Sequence, residues 1–187
     1  MMAYSFVKQD RADTINVQAA ASTNEPKVYR TKVFVEHIRI DSNKPYWKAR
    51  AALEKLPTFD DRIRAHLDNG KIGRVTTELH KIQGDAGLVI FSIATHGDWL
   101  AIRSRKANAV QYVIGNVLTS TRMTQYELAA GLYAPLRIIL YETKSGFATF
   151  EYDRPSSLFG QYGDERVTAV AEELDQKIYV ALVKAAT

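Results

Sequence analysis

Six polar residues in the second half of this 187-residue chain carry the chemistry its sequence could support: His96, Asn116, Arg137, Glu142, Tyr152 and Asp153. An imidazole and a phenol can exchange protons, a guanidinium can hold a carboxylate or phosphate, and an amide or carboxylate can orient either partner. His96 and Tyr152 are therefore the candidate acid–base pair, and all six form the candidate ligand set. Each also has a plain structural reading. His96 lies in Thr95-His96-Gly97-Asp98, where a histidine can fix a bend through backbone hydrogen bonds. Asn116, after Gly115, suits a strand exit because asparagine tolerates a left-handed backbone. Arg137 interrupts an apolar run, so it must find a carboxylate, reach water, or clamp an anion.

The elements that must position these groups follow from periodicity. Alternating runs at Leu136 to Glu142 and Phe147 to Tyr152 flank Thr143-Lys144-Ser145-Gly146, which predicts a β-hairpin with a four-residue connection. A tight closure would set Arg137 opposite Tyr152 and beside Asp153. Upstream, Val28 to Ile40 contains a strand with Phe34, Ile38 and Ile40 on one face, ended by Asp41-Ser42-Asn43. Pro45 opens a helix with Tyr46, Ala49, Leu53 and Leu56 at helical spacing. Thr58 and Asp61 open a second, stopped at Asn69-Gly70, and Ile72, Val75, Leu79 and Ile82 stripe a third. Gly87 to Ala94 is an apolar run short enough for a central strand buried on both sides. Asp98 is a cap for a short helix, Ala109 to Ile114 a strand, and Thr119 or Ser120 a cap for a helix over Thr121 to Leu128. Asp153-Arg154-Pro155-Ser156 reads as a helix entry capped by Asp153. Asp164 caps a long final helix with a stripe of Val167, Val170, Ala171, Leu174, Ile178 and Leu182. This order predicts an α+β domain, a mixed or antiparallel sheet with helices on one face, over 27–187. Residues 1–26 are small, polar and unpatterned, and read as a flexible extension.

Composition narrows the function classes. There is no cysteine, which excludes disulfides, thiolate metal sites and a cysteine nucleophile. His37, His66, His80 and His96 lack metal-ligand spacing, so no metal is expected. Gly70-Lys71-Ile72-Gly73 is too short for a phosphate loop and Gly-x-Ser-x-Gly is absent, so neither a nucleotide cofactor nor a serine nucleophile of that type is expected. A net charge of +4 is spread out, with only Arg103-Ser104-Arg105-Lys106 forming a basic run that reads as a solvated helix end. No nucleic-acid partner is expected. No apolar run reaches the ~20 residues of a membrane span, and the N-terminus lacks the pattern of a secretory signal. The expectation is a cytoplasmic protein without a membrane partner.

Several short strings in a fixed order resemble the domain of unknown function 302 family: Thr95-His96-Gly97, Gly115-Asn116, Met123, Ala134-Pro135-Leu136-Arg137, Tyr141-Glu142 and Tyr152-Asp153-Arg154-Pro155-Ser156-Ser157-Leu158. The resemblance covers roughly the last hundred residues well and the preceding helices weakly. It implies a two-layer α+β fold of the TATA-binding-protein class. Members commonly have an Asp before the His and a Pro after the Gly-Asn, where this chain has Thr95 and Val117. The family leaves the activity open. Three functions then fit the residues: binding of a small molecule in a pocket between sheet and helices, in a possible homodimer; an enzyme using His96 on an anionic or oxygenated metabolite held by Arg137; or an assembly module without pocket chemistry.

Overall fold

The computed structural model describes residues 26–187, so the expected extension lies, but for Pro26, outside the described residues. The chain divides into two compact units, Met1–Phe34 and Val35–Thr187. Of the first, residues 26–34 include no helix or strand. The second unit is the α+β domain.

Five strands form one sheet in the order β1-β5-β4-β3-β2, every neighbouring pair antiparallel. They are β1 (His37–Pro45), β2 (Val89–Ala94), β3 (Ala109–Gly115), β4 (Leu136–Glu142) and β5 (Phe147–Asp153). The expected β4–β5 hairpin is present, with Thr143–Gly146 as its connection and Gly146 at φ +81°. Left-handed backbone at that position is what glycine supplies without steric cost. β1 starts later than the pattern suggests: Phe34 lies outside it and is 89% exposed. Asp41-Ser42-Asn43 does not end the strand. The register shifts between Asp41 and Pro45 and the strand continues, with the Ser42 hydroxyl donating to the Ala186 carbonyl (2.6 Å).

Among the described residues, seven α-helices accompany the sheet: α1 (Tyr46–Leu53), α2 (Arg62–Asp68), α3 (Ile72–Ile82), α4 (His96–Trp99), α5 (Val117–Thr124), α6 (Pro155–Phe159) and α7 (Glu165–Ala186). Short 3₁₀ segments follow α4 (Leu100–Arg103), precede β4 (Leu128–Tyr133) and follow α6. Asp164 caps α7, accepting from the Arg166 amide at 2.9 Å, and the stripe from Val167 to Leu182 is buried as its spacing predicts. α7 packs against α1, α5 and α6 and against β1 and β5. Alternation on β4 sends Leu136, Ile138 and Leu140 into this core and leaves Arg137 on the opposite, uncovered face.

Three local expectations are corrected. β2 is an edge strand, not a central one: Val89 and Ile90 are buried but Ser92 to Ala94 are exposed. Its apolar run is explained by Leu88, Val89 and Ile90, which are buried, and by Phe91, which lines a pocket, while the Pro57–Phe59 segment covers the outer edge through Ile90 N–H to the Pro57 carbonyl (2.8 Å). The short helix α4 begins at His96, so Asp98 lies inside its first turn rather than at its cap. α5 begins four residues before the expected Thr121 because Asn116, not Thr119 or Ser120, is its cap.

Candidate functional site

Asn116 stands where β3 gives way to α5. Its Oδ1 accepts from the amides of Leu118 (2.8 Å) and Thr119 (3.2 Å), satisfying two of the free donors at the helix start. Its Nδ2 donates to Gln83 Oε1 (2.6 Å) and to the Gly87 carbonyl (2.9 Å), tying α5 to the end of α3 and the approach to β2. Asn116 has φ −150°, an extended backbone, so capping and not left-handed tolerance accounts for it.

Once Asn116 fixes the start of α5, Thr119 falls on its third turn position and shares the inward side with Met123 four residues on. A pocket of about 190 Å³ opens there, between α5, α7 and the ends of β3 and β4. Phe91, Met123, Pro135, Leu136 and Leu174 give it apolar walls; Asn116, Thr119, Ser120 and Thr121 give it polar ones. Phe91 stacks on Phe59, ring centroids 4.8 Å apart. Gly115 keeps one wall thin, since a Cβ there would lie 3.0 Å from the Pro135 Cβ. None of the lining residues is ionisable.

Thr119 is the informative group. It is 5% exposed, and its hydroxyl has no hydrogen-bond partner among the described residues. No fully enclosed side-chain oxygen or nitrogen among those residues lacks a partner. The hydroxyl must therefore reach open space, and the pocket is the space Thr119 lines. The Asn116 amide, by contrast, is fully engaged by the protein.

The other five candidates from the sequence lie elsewhere. His96 is exposed at the start of α4. Arg137 is exposed on the uncovered sheet face, beside Val113 of β3, with no ion-pair or hydrogen-bond partner among the described residues. Tyr152 pairs with Ile138, not with Arg137, and points into the core at 4% exposure. A one-residue change of register moves a side chain to the other face, which is why Arg137 and Tyr152 do not meet. Burial pushes the Tyr152 phenol up to about 12, with Asp175 adding to the effect. Glu142 is exposed and accepts from Asn108 Nδ2 at 2.8 Å. Asp153 does not cap α6; it binds His37, and the first turn of α6 is held by the Asp175 carboxylate, which accepts from the Ser156 amide and from Arg154 Nε, each at 2.8 Å.

The polar network that sequence reasoning missed lies on the uncovered face. His37 Nδ1 is 2.8 Å from Asp153 and Nε2 is 3.1 Å from Glu151, whose other oxygen accepts from the Tyr141 hydroxyl. His37 and Arg39 alternate along β1 as Glu151 and Asp153 do along β5, a pattern that becomes legible only once β1 is known to pair with β5. The Asp153 and Glu151 hydrogen bonds raise the His37 pKa above its ordinary value.

With this geometry in place, the comparisons with known proteins define the class. The family model of the domain of unknown function DUF302 matches residues 64–185, and the chain belongs to that family. No curated protein matches the sequence. Among solved structures, an uncharacterized conserved DUF302 protein from Bacillus stearothermophilus is similar in fold, with a TM-score of 0.58 at 14% identity over 80% of this chain and 97% of the other. Three of the six strings behind the family resemblance meet at the pocket, where Gly115, Asn116, Met123, Ala134, Pro135 and Leu136 line it; Thr95-His96-Gly97, Tyr141-Glu142 and Tyr152 to Leu158 do not.

Proposed function

We propose that this domain binds a compact, uncharged, largely apolar small molecule in the pocket between α5, α7 and the ends of β3 and β4, with the Thr119 hydroxyl as its hydrogen-bonding anchor. The observation that carries the reading is Thr119, a buried residue whose hydroxyl has no hydrogen-bond partner among the described residues and, not being enclosed, is open to the mostly apolar cavity the residue lines. A few placed polar groups in an apolar cleft are what small-molecule recognition requires. The size, about 190 Å³, exceeds the roughly 150 Å³ of a cavity known to take up benzene, so a single ring with a small substituent fits. Neutrality follows from the lining. Burying a charge without a countercharge costs several kcal/mol, and no ionisable side chain lines the pocket to offset it. An anionic ligand held by Arg137 gains no support from this arrangement, since Arg137 faces away from the helices.

The test is a two-dimensional NMR titration with phenol, indole, benzamide and benzoate. Neutral probes should shift the amides of Gly115, Thr119 and Met123, and benzoate should bind more weakly than benzamide. Thr119→Val should weaken the hydrogen-bonding probes about 3- to 10-fold, the range expected for one net hydrogen bond, while the melting temperature stays unchanged. Probes that leave the pocket amides unmoved, or benzoate binding above benzamide, would overturn the reading.

A further inference from the structure

We infer that the tip built from α4 and the 3₁₀ turn after it docks the protein onto the surface of an anionic phospholipid bilayer. Trp99 and Ile102, three positions apart and on one side of the turn, are 70% and 75% exposed. Ile93, on the edge strand that leads into α4, adds a third apolar side chain at 44%. Arg103, Arg105 and Lys106 follow immediately, all exposed and none paired with a carboxylate among the described residues. The acidic side chain within the same stretch is Asp98, so three cations stand against one carboxylate over 95–106.

The base of the tip is held firmly. At Gly97 an added Cβ would lie 2.0 Å from the Ala107 carbonyl oxygen and 2.8 Å from the Ala109 amide, so backbone meets backbone there. Ser104 at φ +53° reverses the chain between the apolar residues and the last two cations. Trp99 and Ile102 are therefore presented by a braced turn rather than a loose one.

A bilayer suits this combination better than the alternatives. Tryptophan with an aliphatic neighbour, flanked by lysine and arginine, is the composition of segments that sit at the headgroup boundary, and each cation near an anionic surface strengthens attachment. Single-stranded nucleic acid would use Trp99 for stacking but gives the aliphatic side chains of Ile93 and Ile102 no role. Attachment of this kind is peripheral: among the described residues no helix is long and apolar enough to cross a membrane. It also departs from the sequence expectation of no membrane partner, because periodicity shows spans, not exposed tips. The inference does not depend on the pocket.

The experiment uses the full chain with Trp47→Phe, which leaves Trp99 as the single tryptophan of the two. Vesicles of phosphatidylcholine with one-third phosphatidylglycerol should shift Trp99 emission to the blue and sediment the protein, and pure phosphatidylcholine should do neither. Charge reversal at Arg103, Arg105 and Lys106 to Glu should lower partitioning by on the order of 100-fold. In a chain that retains Trp47, Trp99→Ala with Ile102→Ala should abolish sedimentation while circular dichroism is unchanged. Unshifted Trp99 emission with anionic vesicles, sedimentation that survives the double alanine change, or quenching by a single-stranded oligonucleotide without response to vesicles would each overturn the proposal.

Discussion

His37 is where single-residue chemistry has the clearest consequence. Both ring nitrogens face carboxylates, so the imidazolium is the form that satisfies both contacts. Its pKa is raised in the folded state, so its contribution to stability is complete below the ordinary value of about 6.5 and is lost as pH rises through the elevated folded value. Glu151 runs the other way: the Tyr141 hydroxyl, then His37, hold its carboxyl below the ordinary range, and that contribution is lost as pH falls through the lowered value. The network is strongest between the two. NMR titration of the His37 Cε1 proton should give a midpoint above 6.5, and His37→Gln should flatten the fall in melting temperature above neutrality. His37 is more than half exposed, so the effect is small beside burial in the core.

At the scale of elements, α7 does most to hold the layers together. Its inner stripe runs from Val167 through Leu182 without a polar break except Asp175, which is occupied by Arg154 and Ser156. Leu174 is 4% exposed and lies both in the core and against the pocket. Leu174→Ala should cost about 2–5 kcal/mol, the range for a buried leucine that leaves a cavity, and should enlarge the pocket at the same time. Chemical denaturation gives the first quantity. The second should appear as tighter uptake of larger neutral probes such as naphthalene in place of phenol. A melting curve matching that of the unaltered protein would mean the stripe is not packed as described.

For the molecule as a whole, the strand order sets how stability is distributed. β5, β4 and β3 have a hydrogen-bonded neighbour on each side, while β2 has only β3 beyond the short bridge at Ile90. Opening free energies follow burial and pairing. Hydrogen exchange read by mass spectrometry should therefore be slowest in peptides covering Ile138–Leu140 and Phe150, and markedly faster at Ser92–Ala94. Equal protection across the five strands would contradict the strand order. One face of the sheet is packed by helices; the other presents His37, Arg39, Glu151, Asp153 and Arg137 to the surroundings.

Elements whose signals are local can be read directly along the chain. The β4–β5 hairpin follows from two alternating runs around Gly146. The buried stripe and Asp164 cap of α7 follow from 3.6-residue spacing, and the strand β3 from its own pattern. Whatever depends on which distant elements meet emerges only once the chain is folded. Arg137 and Tyr152 share a hairpin, but the observed register puts them on opposite faces, and a single residue of slip is invisible in composition. β2 has the apolar run of a central strand, yet pairing with β3 alone makes it an edge. Thr119 reads as a helix cap, but Asn116, bonded to Gln83 and Gly87 far back in the chain, sets the start of α5 earlier and leaves Thr119 inside the helix as a lining residue of the pocket. Capping, periodicity and turn chemistry act over a few residues and can be read in order; register, sheet position and the convergence of side chains on a cavity are set by contacts between residues tens of positions apart.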